Sequence, residues 1–157
     1  YDCDPSGFVA LLEAMKSSAV AKLSISDCDI GSKGLMTSAP LISVITALTE
    51  VNLSVNKCFD ADSVKAIADV IPTSKLQTLV IGKDCLVSVV ASDVTTLDCS
   101  NQDFGPAELM LMSSVVMPVS TALSEVNLST NMIVGTLDTL NATQLYSRTV
   151  GGVVLRP

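Results

Sequence analysis

One eleven-residue pattern recurs five times in this chain and limits its architecture more than any other feature. Written as L-x-x-L-x-L-x-x-N-x-L with aliphatic substitutes allowed, it starts at Val20, Leu48, Leu76, Val94 and Leu123. Residues 47–56 (ALTEVNLSVN) and 122–131 (ALSEVNLSTN) are near copies. Successive starts lie 28, 28, 18 and 29 residues apart. A unit of this size is too small to bury its apolar side alone, so neighbours are expected to stack around a shared core.

Within one unit two periodicities follow each other. Leu48, Val51 and Leu53 alternate with Thr49, Glu50, Asn52 and Ser54, the pattern of a short strand with one buried face. Asp60 or Asp62 is then placed to cap a helix over SVKAIADVI, with Val64, Ile67, Ala68 and Ile71 on one face and Pro72 as its stop. Gly31-Ser32 precede a helix that starts near Lys33 and is expected to be interrupted at Pro40. Gly105-Pro106 open another, with Glu108 in its first turn and Pro118 limiting its far end, and Asp4-Pro5 begin one through FVALLEAMK. The fourth unit is too short for a helix: KDCLVSVVASD is expected to form an extended or turn-like outer segment with a local change of curvature.

In the strings VAKLSISDCDIG, LTEVNLSVNKC, LQTLVIGKDCL, VTTLDCSNQDFG and LSEVNLSTNMIVG the chain resembles the leucine-rich repeat family, specifically its ribonuclease-inhibitor-like subclass, over roughly residues 20–134. The resemblance implies an α/β leucine-rich repeat solenoid, a short horseshoe. A parallel β-sheet would line its concave face and helices its convex face, with one short helix-less repeat. A single domain over 1–157 is expected: an N-terminal helix or half-repeat cap (1–19), five repeats (20–134) and a degenerate C-terminal cap (135–157). In that last stretch VGGVVL would supply a strand over the open sheet edge, or the stretch would be a disordered or oligomer-forming tail. DCDPSG (2–7) parallels DCDIGS (27–32), which fits either a cap or an array continuing upstream; an opening without Met fits a processed chain or a piece of a longer one. The resemblance also implies an asparagine ladder at the ninth position, held by Cys28, Asn56, Asp84, Gln102 and Asn131, whose side chains would bond neighbouring loop backbones.

Composition narrows function mostly by exclusion. The net charge is −7, and the nine Lys and Arg are scattered singly, which argues against nucleic acid as a partner. There is no His, which removes Ser-His-Asp and Cys-His catalysis and imidazole metal sites. No enzyme, catalytic residue, metal or cofactor is expected. Asp27-x-Asp29-x-Gly31 resembles only the opening of a calcium loop, without its later ligands. The apolar windows at 40–48 and 109–123 are too short or broken to span a bilayer. Five cysteines with no C-x-x-C signal neither a disulfide framework nor a zinc knuckle. Cys58 and Cys85 fall in bends and Cys99 at an inward position, often beside Asp, so inert thiols and a reducing, cytoplasmic setting are expected. Three Asn-x-Ser/Thr strings occur at Asn52, Asn127 and Asn141; the repeated VNLS explains the first two, and nothing else in the sequence speaks for glycosylation.

What remains is the outward strand face. Stacked across the five units it reads Lys22, Glu50, Thr78, Thr96, Glu125 in one row and Ser24, Asn52, Val80, Asp98, Asn127 in the next. These ten residues are the expected contact set of a non-enzymatic interaction module. Its partner would be a protein or peptide of basic character, because Glu50, Asp98 and Glu125 outnumber Lys22. The alternative is a self-associating scaffold, or a fragment of a longer repeat protein, joining copies through exposed array ends. A contact role in GTPase regulation, known in relatives of the resembled class, ranks third. Inward, Leu23, Leu53, Ile81, Cys99 and Leu128 are expected to line up, with Leu53 and Leu128 fully buried and Ser54 at the surface.

Overall fold

The structure is a computed structural model and describes residues 4–56, 59–133 and 154–156. Helix α1 (Ser6–Met15) leads into strand β1 (Lys22–Ser24), helix α2 (Gly31–Val44), strand β2 (Glu50–Asn52) and helix α3 (Ala61–Val70), which ends in a 3₁₀ turn. Strands β3 (Thr78–Ile81), β4 (Cys85–Ser88) and β5 (Thr96–Asp98) follow without a helix between them. Helix α4 (Pro106–Leu111) continues through a π turn (Met112–Val116) into α5 (Met117–Val119), and strands β6 (Glu125–Asn127) and β7 (Val154–Arg156) complete the described elements.

These strands form two sheets, which corrects the expectation of one parallel sheet running through a horseshoe-shaped solenoid. The first has the order β1-β2-β3-β4, parallel except for the antiparallel β3–β4 pair; the second has the order β5-β6-β7 and is parallel throughout. The fold is therefore mixed α/β with a sheet break inside the repeat region.

The break has a local cause. Gly82 takes φ +66°, a left-handed conformation that turns the chain back so that Cys85 lies opposite Ile81. The next residues then alternate as a strand should: Cys85 is 4% exposed, Leu86 55% and Val87 1%. The segment expected on the outer side thus joins the sheet and occupies the β3 edge that β5 would need. β5 starts a new sheet instead.

The bends behind the strands stay stacked across the break. Asp27 N–H donates to Ser54 O at 3.1 Å, Val55 N–H to Gly82 O at 2.7 Å, Lys83 N–H to Gln102 O at 2.9 Å and Asn101 N–H to Ser129 O at 3.0 Å. Two asparagines brace them. Asn56 Nδ2 donates to Ile25 O at 2.7 Å and Leu53 O at 3.0 Å, while its Oδ1 accepts from the N–H groups of Cys28 (3.2 Å) and Ile30 (3.3 Å). Asn131 repeats this with Cys99 O and Leu128 O, and with the N–H groups of Gln102 and Phe104. Gln102 Oε1 accepts from Asp84 N–H at 2.8 Å.

The core is a single cluster in which Leu35, Ile42, Leu48, Val51, Ile67, Leu79, Phe104 and Val126 are almost wholly buried. Leu53, Ile81 and Cys99 are buried as expected, but Leu23 and Leu128 are only partly covered. Ser54 is not at the surface. It is 3% exposed and its hydroxyl donates to Ser26 Oγ at 3.1 Å. Asp60 caps α3, accepting from Ser63 N–H at 2.8 Å while Ser63 Oγ accepts from Asp60 N–H at 3.0 Å. Pro40 does not interrupt α2, which runs on to Val44. Pro40 and Met36, whose carbonyl would have met the missing N–H, both lie on the exposed side, so that carbonyl is not stranded in the core.

The cysteines also need correction. Cys85 and Cys99 form a disulfide with their Cα atoms 5.8 Å apart, tying the start of β4 to the residue after β5. Cys28 is a free thiol but exposed rather than in the core. Cys3 and Cys58 lie outside the described residues, as do Asn141 and most of the expected C-terminal cap. Within that stretch only β7 is described, paired parallel to β6. Among the described residues no helix is long and apolar enough to cross a membrane.

Candidate interaction surface on the strand faces

The sheet register sorts the ten expected contact residues into two groups. Lys22, Glu50 and Thr78 are direct neighbours across β1, β2 and β3, and so are Ser24, Asn52 and Val80. Thr96 faces Glu125 and Asp98 faces Asn127 across β5 and β6. Each half of the two rows is assembled as the alternation predicts. No row runs through all five strands, because β4 intervenes.

On the first sheet the polar groups hold one another. Lys22 Nζ donates to Glu50 Oε2 at 2.9 Å and Thr78 Oγ1 donates to the same oxygen at 3.4 Å. Lys22 keeps 72% of its side chain exposed and Glu50 only 23%, so the pair presents its cation outward and its carboxylate low on the sheet. Thr49 Oγ1, next to this row, donates to Ala21 O at 3.2 Å. Val80 drops out of the contact set at 5% exposure, covered beside the β3–β4 hairpin.

A second correction concerns the other polar row. Asn52 Oδ1 accepts from Ser54 N–H at 2.8 Å, Asp98 Oδ1 from Ser100 N–H at 2.9 Å and Asn127 Oδ1 from Ser129 N–H at 3.1 Å. All three make the same local turn, in which a short polar side chain bonds the backbone two residues on. These oxygens secure the strand ends and are not free for a partner. The strings N-x-S and D-x-S carried that signal in the sequence, and reading by rows missed it. The Ser100 backbone N–H, helped by its hydroxyl and by the Asn127 side chain, holds the Asp98 carboxyl below the usual carboxylate range.

Charge is divided unevenly. Glu50 is neutralised by Lys22, so the acidic surplus expected of the whole face sits on the second sheet, where Asp98 and Glu125 are exposed and form no ion pair among the described residues. Elsewhere, an open groove of about 460 Å³ runs between α3 and α4, lined by Val64, Ala68, Met110 and Ser114 and rimmed by the Lys65–Asp69 ion pair. Among the described residues no three His, Cys, Asp or Glu side chains come together as metal ligands would. No known family model and no curated protein matches this chain.

Proposed function

We propose that the chain is a non-enzymatic interaction module that takes a protein or peptide partner on the outward face of its first sheet. The supporting observation is the pre-set row Lys22–Glu50–Thr78. An ammonium, a carboxylate and a hydroxyl are fixed by cross-strand contacts on three aligned strands, next to the open side chain of Ser24. A surface whose polar groups are already ordered loses little side-chain freedom when a partner covers it. Its mixed charge favours a partner with a complementary acidic and basic pair over the uniformly basic one expected from the sequence.

The cytoplasmic setting expected from unpaired cysteines loses its ground with the Cys85–Cys99 bridge, and this reading adopts an oxidising compartment. The test is a charge swap that preserves the internal pair. Lys22→Glu with Glu50→Lys should fold like the parent, yet bind at least about tenfold more weakly to whatever the parent captures from its native extract, a difference of about 1.4 kcal/mol. Equal binding by the swapped chain rejects this face.

Self-association is the second reading, and one comparison favours it. Val20 and Val94, beside β1 and β5, each an edge strand among the described residues, are 41% and 47% exposed, whereas the equivalent Leu48, Leu76 and Leu123 are 0%, 3% and 7% exposed. An uncovered edge of this kind pairs readily with another strand. Light scattering that shows a monomer at every concentration removes that reading.

A further inference from the structure

Two of the Asn-x-Ser strings, Asn52-Leu53-Ser54 and Asn127-Leu128-Ser129, lie among the described residues and are identical in sequence. They differ in structure. At Asn127, Oδ1 accepts from both the N–H (3.1 Å) and the hydroxyl (2.8 Å) of Ser129, so the turn is closed entirely within the sequon. At Asn52, Oδ1 accepts only the N–H of Ser54, whose hydroxyl is turned away to Ser26. Their surroundings differ as well. Asn52 has buried Val80 beside it and is followed by Ser54 at 3% exposure, whereas Asn127 has exposed Asp98 beside it and half-buried Ser129 after it.

The Asn127 arrangement suits an acceptor amide. A carboxamide nitrogen is a poor nucleophile because its lone pair is delocalised into the carbonyl. A hydroxyl donating to Oδ1 draws density toward oxygen and makes the Nδ2 protons easier to remove. The oxidising compartment adopted above on the ground of the Cys85–Cys99 bridge is where sequons meet their donor.

We propose that Asn127 is an N-glycosylation site and that Asn52 is not. The donor class is an oligosaccharide linked to a prenyl diphosphate. The bond between the anomeric carbon and the diphosphate oxygen breaks, and its electron pair leaves with the diphosphate. Nδ2 of Asn127 forms the new bond to that carbon, and the displaced amide proton passes to a base of the transferase. A glycan at this point stands over the second sheet and leaves the first-sheet face free.

The experiment is secretion of the full chain from eukaryotic cells behind a secretion leader, with Asn141 already changed to Gln. The readout is electrophoretic mobility before and after treatment with a peptide-N-glycosidase. One enzyme-reversible shift is expected. It should vanish in both Asn127→Gln and Ser129→Ala, and persist in Ser129→Thr and in Asn52→Gln. Two independent losses guard against a variant that simply misfolds, and unglycosylated material from each is checked for a cooperative thermal melt. Absence of any shift overturns the proposal. So does a shift that survives Asn127→Gln or Ser129→Ala, or one removed by Asn52→Gln.

Discussion

Replacing Asn56 by Ala tests the side-chain bracing between successive bends, which the Asp27–Ser54 backbone bond and the Ser54–Ser26 hydroxyl pair leave in place. The side chain is 7% exposed and makes four bonds of good length, two as donor to Ile25 O and Leu53 O and two as acceptor from Cys28 and Ile30. Alanine leaves two N–H and two C=O groups without that partner. An unmet buried backbone group costs about 1–3 kcal/mol. Cys28 is near enough to solvent for water to recover part of its bond, so about 1 kcal/mol for each of the four groups gives a loss of roughly 4 kcal/mol. That is a large share of the roughly 5–15 kcal/mol that holds a typical domain together. Urea unfolding followed by far-ultraviolet circular dichroism measures it directly. Asn56→Asp adds a second axis: an ionised carboxylate would face the Ile25 and Leu53 carbonyls, so its loss should be larger at neutral pH than in acid, where protonation restores one donor. A loss below about 1 kcal/mol for Asn56→Ala, with unchanged m, would mean that the amide does not brace the bends, and the reasoning would fail.

Three further outcomes are expected. Gly82→Ala should cost about 2–4 kcal/mol in a thermal melt, because the added Cβ meets Gln102 O at 2.6 Å and the Phe104 ring at a left-handed φ; Gly31→Ala, equally left-handed but with open space around it, should cost only about 1–2 kcal/mol. Asp60→Ala should cost about 1 kcal/mol at neutral pH as a lost helix cap. Chiefly because Ser63 N–H bonds it, the Asp60 carboxyl titrates below its ordinary value of 3.8, so its contribution is fully present above the unfolded pKa and is lost as pH falls through the folded one; parent and variant melts should converge in strong acid. Replacing Cys85 and Cys99 together by Ala should lower the unfolding free energy by about 3 kcal/mol, as the loop they close has a sequence separation of 14, and adding reductant to the parent should reproduce that loss.

Much of the fold is legible where one period dominates. The registers Lys22–Glu50–Thr78 and Thr96–Glu125 follow from alternation alone, since a slip of one residue would expose Leu48 or Val126. The Asp60 cap and the Asn56 and Asn131 braces are fixed by short-range chemistry and by the repeat. The sheet break was hidden because CLVSV satisfies alternation as well as any repeat strand does, while the repeat count assigned it to the outer layer. Only the Gly82 turn decides between the two, and a lone Gly is a weak signal. The disulfide was hidden for the same reason, because the hairpin brings Cys85 to Cys99. In the contact set, alternation showed which side each residue faces but not whether its oxygen was already taken, as at Asn52, Asp98 and Asn127.

The turn at Gly82 also sets how the molecule should come apart. Strand-to-strand bonding stops at β4, and the described links across that gap are a covalent bridge, two bonds to Gln102, the Lys83–Asp103 ion pair, the Phe104 packing and the contact of α3 with α4. Slow amide exchange should therefore resolve into two protected blocks, Lys22–Ser88 and Thr96–Asn127, each opening with its own free energy. Reducing the bridge would widen the difference between them.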